Sequence, residues 1–271
     1  MVGRHNPRPS NKLPALGNHQ TCWIWGRNLV TETLRAGRWP ILELHLATSL
    51  AEDESSRVRQ IASGMQITVK AQTNDQLLQL CRNRDHQGFV AKMAEYPYVP
   101  LTELLDNGQP SAQPLYVVCD SIQDPFNLGA MLRTAEALRV TGVIIGQRDQ
   151  VGVTSHVARA SAGAVNHLAI TRTDDLLETA RVLQSRGTQL VGASEKAKCP
   201  LSACDFRPST AVVIGNEGRG VRAELWSLCD QHARIPLAGR VASLNAAVAS
   251  GIVLYEAQRQ RQHDQIGPAR S

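Results

Sequence analysis

Apolar and polar positions in the first half of the chain alternate between helical and strand-like spacing. The patterns lie at residues 28–36 (helix), 43–47 (strand), 54–63 (helix), 66–70 (strand) and 74–82 (helix), before a turn and short strand at 85–91. Elements that alternate in this way predict a small α/β domain, placed at residues 21–95.

The second half carries apolar runs that suit strands covered on both faces. Strand-like runs lie at 115–120, 143–146, 166–170, 189–193, 211–215 and 234–237, and helical patterns follow them to about Leu138, near 154–160, at 174–186, from about Val221 and at 244–261. Strands that are apolar on both faces predict a parallel sheet with helices on either side. Residues 114–262 are therefore expected to form a second α/β domain.

The remaining segments are predicted to be connections. Residues 1–20 combine basic residues and prolines with no acidic residue, which predicts a flexible basic arm. Residues 96–113 carry several prolines and predict a linker with at most one short helix, at 101–106. Residues 263–271 are expected to be a flexible tail.

Composition and charge narrow the class of protein only moderately. The 271 residues carry a formal net charge of +5, which favours a polyanionic partner such as RNA, although charge alone is weak support. The six cysteines form no C-x-x-C pair, so no zinc site is expected. No apolar run approaches the ~20 residues that span a bilayer, and the first residues lack the apolar core of a secretory signal. We expect a cytoplasmic protein without a membrane partner.

The first stretch that carries chemistry follows the apolar run at 115–120. Asp124 and Pro125 suit the N-cap and first position of a helix whose apolar residues recur at helical spacing. Asn127 and Arg133 do not belong to that apolar face. They are polar residues near the carboxyl end of a parallel strand, where α/β proteins place their sites.

The second stretch is a glycine-rich turn between an apolar strand and a helix. Gly215, Gly218 and Gly220 are spaced as G-x-x-G-x-G, which is neither the dinucleotide-binding fingerprint nor a phosphate-binding loop. Glycines here let backbone amides approach a ligand closely. The embedded Asn216 and Glu217 favour a site over a generic tight turn.

The third stretch starts a long helix. Ser243 is a plausible N-cap. The apolar stripe of the helix is formed by Leu244, Val248, Gly251, Ile252 and Tyr255. Asn245 does not fit this picture, because an apolar or acidic residue would stabilise a position just inside a helix start better.

In this order and at these separations, the three stretches resemble the three motifs of the SpoU family of RNA 2′-O-ribose methyltransferases. The match covers residues 115–261, and Gly26–Val30 with His86–Gly88 resembles the small L30e-like RNA-binding domain of members that modify a 23S rRNA guanosine. The resemblance implies a deep trefoil knot in the C-terminal domain, S-adenosyl-L-methionine (AdoMet) as methyl donor without a metal, and a homodimer whose active sites are completed across the interface.

The resemblance also assigns the candidate site residues. The catalytic candidates are Asn127, Arg133, Glu217, Ser243 and Asn245. The candidate cofactor contacts are Gly215, Asn216, Gly218, Ile235, Leu237, Ser243 and Leu244. In the family, the arginine at the place of Arg133 is thought to act on the ribose 2′-hydroxyl. Because a guanidinium keeps its proton at neutral pH, we expect it to stay charged, hold a phosphate and lower the hydroxyl pKa electrostatically.

Two positions depart from the family pattern. A glycine usually follows the first motif's helix, where this chain reads Ala137 to Val140, so the left-handed helix end is expected to be replaced by another termination. The family also commonly has Asp-Gly where Asp120-Ser121 stands.

Several alternatives stay open from sequence. Asn127, Arg133 and Glu217 each have an ordinary structural explanation, as a helix-start hydrogen bonder, a surface arginine and a first-turn acid. The substrate could be a tRNA guanosine or the rRNA site of antibiotic-resistance relatives instead of a 23S rRNA guanosine. The chain could also be an RNA-binding ribosome-assembly factor without activity. A nicotinamide oxidoreductase is disfavoured, because the phosphate fingerprint is missing after the first strand.

Overall fold

The computed structural model describes residues 22–106, 113–240 and 243–265. The predicted arm at 1–20, part of the predicted linker and residues 266–271 of the predicted tail lie outside the described residues.

The first half forms the expected α/β unit around a four-stranded sheet. Its elements are β1 (Cys22–Trp25), α1 (Arg27–Ala36), β2 (Ile41–Ala47), α2 (Glu52–Gly64), β3 (Thr68–Gln72), α3 (Asn74–Cys81) and β4 (Phe89–Met93). The strand order is β1-β4-β2-β3, with β2 and β3 parallel and the other pairs antiparallel. Strand β1 was not predicted, because a four-residue strand is too short to show an alternating pattern.

The second half forms a seven-stranded sheet in which every strand pair is parallel, as predicted. Its strands are β5 (Leu115–Asp120), β6 (Gly142–Gly146), β7 (Ile170–Thr173), β8 (Gln189–Ala193), β9 (Cys199–Pro200), β10 (Thr210–Gly215) and β11 (Gln231–Arg234), in the order β7-β6-β5-β10-β8-β11-β9. Its helices are α4 (Leu101–Asp106), α5 (Pro125–Ala137), α6 (Ser155–Ala160), α7 (Leu176–Ser185), α8 (Ala223–Leu228) and α9 (Ala246–Gln265). The implied trefoil knot stays a prediction.

Two predicted strands lie elsewhere. The apolar run at 166–170 mostly precedes β7. Its apolar character comes from a short 3₁₀ helix and the turn after it, which bury Val165 and Leu168. The run at 234–237 overlaps β11 only at Arg234, and its apolar residues Ile235 and Leu237 line a cleft. Apolar spacing alone does not separate a buried turn from a strand.

The two halves share one continuous apolar core. Tyr96 donates a hydrogen bond to the carbonyl of Val165 over 2.6 Å, and the Asn166 amide donates to the Thr33 hydroxyl over 3.0 Å. The segment after β4 is also anchored to the second half, because the Val99 backbone N–H donates to the Ile170 carbonyl over 2.8 Å. The N-terminal unit is thereby fixed beside α6 and the short 3₁₀ helix at Ala164–Asn166.

Both departures from the family pattern keep a left-handed backbone without glycine. Arg139 has φ +53° and Ser121 has φ +63°. The expectation of a different helix end is wrong at Arg139, because Val140 donates back to the Ala135 carbonyl over 2.9 Å, as in a glycine-terminated helix. An L-residue pays a steric cost of roughly 1–2 kcal/mol in this conformation.

Candidate active site

The first two motifs start from neighbouring strand ends. Strand β10 pairs in parallel with β5, so that Gly215 lies beside Asp120. Since both strands point the same way, the loops that follow them leave the sheet at one edge.

An ion pair between a buried carboxylate and an exposed guanidinium ties these loops together. Asp120 is 1% exposed and accepts hydrogen bonds from the Arg222 backbone N–H over 2.7 Å and from Arg222 Nε over 2.8 Å. The hydrogen bond to Asp120 raises the pKa of Arg222 above its usual value. Ser121 accepts a further bond through its carbonyl, from Asn216 Nδ2 over 3.0 Å.

The glycine-rich turn folds tightly on itself. Asn216 and Gly220 exchange two backbone hydrogen bonds, of 3.1 and 2.7 Å, and Asn216 Oδ1 accepts from the Gly218 N–H over 2.8 Å. A Cβ on Gly215 would lie 2.1 Å from the Gly220 carbonyl carbon, so only glycine fits there. Asn216 thus shapes the turn through its side chain.

Residues from all three motifs meet in one hydrogen-bonded network. Glu217 Oε1 accepts from Asn127 Nδ2 over 2.8 Å, from Asn245 Nδ2 over 2.6 Å and from the Ala246 N–H over 3.2 Å. Asn245 Nδ2 also donates to Asn127 Oδ1 over 2.9 Å. The carboxylate faces the N-terminus of α9, where the helix dipole favours negative charge.

Asn245 is the N-cap of α9, which corrects the prediction for this helix. The helix begins at Ala246 instead of residue 244. Asn245 Oδ1 accepts from the backbone N–H groups of Ala247 and Val248 over 3.0 and 3.2 Å. Ser243 therefore lies before the cap, and Asn245 has both a capping and a network role.

A cleft lined by both polar and apolar residues opens beside this network. All seven predicted cofactor contacts line it, namely Gly215, Asn216, Gly218, Ile235, Leu237, Ser243 and Leu244. Glu217 also lines it, whereas Asn127, Asn245 and Arg133 are not among its lining residues.

The cleft has a wall that the motifs did not predict. Ala193, the last residue of β8, and Ser194 to Lys196 after it also line the cleft. Strand β8 lies next to β10 in the sheet, so the sheet order, which the sequence does not reveal, brings these residues to the cleft.

Arg133 stands apart on the outer face of α5. Its side chain is exposed, and within the described part of the chain no hydrogen bond or ion pair holds its guanidinium. Three of the five residues in the third motif's apolar stripe are also exposed, and Leu244 and Gly251 are half-buried, which corrects the interpretation of the stripe as a buried face. Val248, Ile252 and Tyr255 are 51%, 38% and 64% exposed, whereas α9 buries Ala246, Ser250, Val253, Leu254 and Ala257 against the protein.

In the ranges that the structure describes, no group of three or more His, Cys, Asp or Glu side chains could hold a metal ion. No helix within these ranges combines the length and apolar character needed to cross a bilayer.

Comparison with known proteins identifies the family. The SpoU rRNA Methylase family profile matches residues 114–255, and the profile for RNA 2′-O ribose methyltransferase substrate binding matches residues 23–99. YacO of Bacillus subtilis, assigned to the TrmH family of tRNA/rRNA methyltransferases, is 34% identical over 245 residues, which is 90% of this chain and 98% of YacO.

Solved structures agree over both halves. The AdoMet-bound rRNA methyltransferase of Sinorhizobium meliloti superposes with a TM-score of 0.77 and 27% identity, covering 89% of this chain and 87% of that one. The SpoU methyltransferase AviRb of Streptomyces viridochromogenes, in complex with AdoMet, gives a TM-score of 0.76 and 27% identity over 91% and 95% of the two chains. This protein therefore belongs to the SpoU family of RNA methyltransferases.

Proposed function

We propose that the protein transfers a methyl group from AdoMet to the ribose 2′-hydroxyl of one nucleotide, a guanosine in 23S rRNA. The observation that carries the proposal is the network in which Asn127, Glu217 and Asn245, one from each motif, meet at the rim of the cleft. A protein that only binds RNA has no physical need for this arrangement.

The cleft suits AdoMet by its chemistry. Ile235, Leu237 and Leu244 offer apolar surface for the adenine ring, and the glycine-rich turn exposes backbone to a ligand. Glu217 places a carboxylate at the rim, where it would attract a cationic sulfonium. When bound, AdoMet supplies the electrophilic methyl group.

The residues of the chain would mainly position the reacting hydroxyl. Methyl transfer to oxygen is an in-line displacement, so alignment supplies several kcal/mol of the rate enhancement. Asn127 and Asn245 fix the Glu217 carboxylate, and the exposed Arg133 guanidinium binds an RNA phosphate and stabilises the developing alkoxide. A pH–rate profile of Arg133→Lys tests this: loss of a titration near neutrality that the wild type shows would contradict a permanently charged arginine.

A homodimer is part of the proposal. The stripe of Val248, Ile252 and Tyr255 is apolar and exposed beside α5, and Arg133 does not line the cleft of its own chain. Burying the stripe against a second copy would let Arg133 reach the cleft of the partner.

Mixed dimers test this arrangement. Arg133→Ala and Leu237→Arg should each inactivate a homodimer, the first through the arginine and the second by filling the cleft. When both variants are co-expressed with different tags, the mixed dimer should regain activity from one intact site. A mixed dimer without activity would show that Arg133 acts on the cleft of its own chain.

The N-terminal unit matches the substrate-binding profile, which supports an RNA substrate, and the rRNA methyltransferase among the structural neighbours favours rRNA. The reaction would take place in the cytoplasm, where rRNA is available. Purified protein should transfer labelled methyl to 23S rRNA from cells lacking it, and nuclease digestion should yield 2′-O-methylguanosine. Methylation of tRNA instead would favour the alternative substrate, and RNA binding without AdoMet binding would favour an assembly factor.

A further inference from the structure

Phe126 is an exposed aromatic residue that directly precedes a member of the site's hydrogen-bonded network. Its side chain is 64% exposed, which is unusual for a phenylalanine. It lies in the first turn of α5, directly before Asn127, whose amide bonds Glu217 at the cleft rim. The catalytic network does not use Phe126.

The backbone that carries the Phe126 ring is fixed at the start of α5. Asp124 Oδ1 accepts from the Phe126 N–H over 2.9 Å, and Pro125 fixes the first helical position. The aromatic neighbour of Phe126 in the described chain is His156, whose ring centroid lies 6.3 Å away at a tilt of 51°. Such an arrangement covers the ring only in part, in line with its exposure.

The surroundings are those of a nucleic-acid surface. Phe126 and Arg133 are seven residues apart on α5, hence on the same helix face and about 10 Å apart along the axis. On α6, the exposed His156 contacts the buried Trp25 edge-on, and the half-exposed Arg159 lies over the same ring at 5.5 Å while it pairs with Asp85. The cation available to RNA beside Phe126 is therefore Arg133. An exposed aromatic ring that shares a helix face with a cationic side chain suits an unpaired base and its phosphate.

We propose, resting on the proposed function, that Phe126 stacks on an RNA base at or next to the methylated nucleotide while Arg133 holds a phosphate. The exposed face of α5 lies between α6 and α9. The Phe126 ring contacts His156 of α6 at one edge of this face, and Thr134 lies near Gly251 of α9 at the other edge. Phe126 therefore lies on the α6 side of this face, and its ring neighbour His156 is polar and exposed. This favours RNA over a second copy of the chain as the occupant.

Two substitutions separate stacking from apolar contact. Phe126→Leu keeps an apolar side chain of similar size but removes the aromatic face, and Phe126→Trp keeps that face. Aromatic stacking on one base changes affinity roughly 5- to 150-fold when it is removed. We expect a loss in this range for Phe126→Leu, in the dissociation constant for 23S rRNA transcripts and in kcat/KM. Phe126→Trp should bind at least as tightly as the wild type, and AdoMet affinity should stay unchanged in both variants.

Oligomeric mass and a fluorescent base complete the test. Light scattering should give the same mass for the wild type and Phe126→Leu, and 2-aminopurine at or beside the methylated nucleotide should be quenched by the wild type but not by Phe126→Leu. If Phe126→Leu binds RNA and methylates it as the wild type does, the inference is overturned. A lower oligomeric mass of Phe126→Leu would also overturn it, because the ring would then lie between two copies of the chain. A wild type that binds RNA but transfers no methyl would contradict the proposed function, while the RNA-binding comparison would still decide the role of Phe126.

Discussion

Asn245 combines a capping role and a network role, and substitutions can separate the two. Its Oδ1 accepts from two backbone N–H groups of α9, and its Nδ2 donates to Glu217 over 2.6 Å and to Asn127 over 2.9 Å. Serine is also a good N-cap but has no amide donor. Asn245→Ser should therefore keep the helix end and lose the network, whereas Asn245→Ala should lose both.

The structure sets the expected magnitudes. Loss of an N-cap costs about 1 kcal/mol, so Asn245→Ala should lower the free energy of unfolding by that amount and Asn245→Ser by less than about 0.5 kcal/mol. A hydrogen bond to a charged group contributes about 1.5–3 kcal/mol, and less at an exposed site such as this one. If about 1–2 kcal/mol of this acts in the transition state, kcat/KM falls roughly 5- to 30-fold in both variants.

Urea unfolding and single-turnover methyl transfer from AdoMet to 23S rRNA measure the two quantities on the same preparations. The two rates should fall together, while Asn245→Ala should lose clearly more stability than Asn245→Ser. If Asn245→Ser methylates at the wild-type rate, the residue is only a helix cap, and the catalytic role of the network is refuted.

Three further predictions concern stability. Arg139→Gly should raise the free energy of unfolding by about 0.5–1 kcal/mol, because glycine removes the steric cost of the left-handed backbone. The control Glu136→Gly, inside the same helix, should lower it by about 1 kcal/mol. A loss of stability in Arg139→Gly would contradict this reasoning. His45 is 3% exposed, and burial lowers its pKa below the ordinary value of about 6.5. The unfolded chain therefore binds the proton at a higher pH than the folded chain, so stability should fall as the pH drops below about 6.5. In thermal melts over this pH range, His45→Gln should lose less stability than the wild type. Burial lowers the pKa of Arg261 to about 10, and its guanidinium donates to the carbonyls of Phe206 and Pro208, so Arg261→Met should unfold at clearly lower urea concentration than the surface control Arg181→Met.

Local patterns predicted the elements that are long or strongly periodic. Helix α5 lies where Asp124, Pro125 and the apolar spacing place it, and the parallel sheet follows from strands that are apolar on both faces. The glycine-rich turn was also predictable, because its glycines directly follow an apolar strand. The structure agrees, since Gly215 has no room for a side chain. These features depend on neighbours in sequence or on the two faces of one strand.

Features that depend on distant contacts were not predictable. The start of α9 was misplaced because Ser243 and Asn245 are both good caps, and only the contacts of Asn245 with Asn127 and Glu217 decide between them. The exposed stripe of α9 has the same spacing as a buried one, since a sequence pattern does not show which face meets the protein.

Nucleotide-resolution mapping of 2′-O-methylation across rRNA and tRNA tests the central claim most directly. It would compare cells that contain the protein, cells that lack it and cells that carry only Arg133→Ala at the same protein level. The account predicts one 23S rRNA guanosine that is methylated in the first cells and unmethylated in the other two. An unchanged ribose methylation pattern in all three, together with no AdoMet binding by the purified protein, would contradict it.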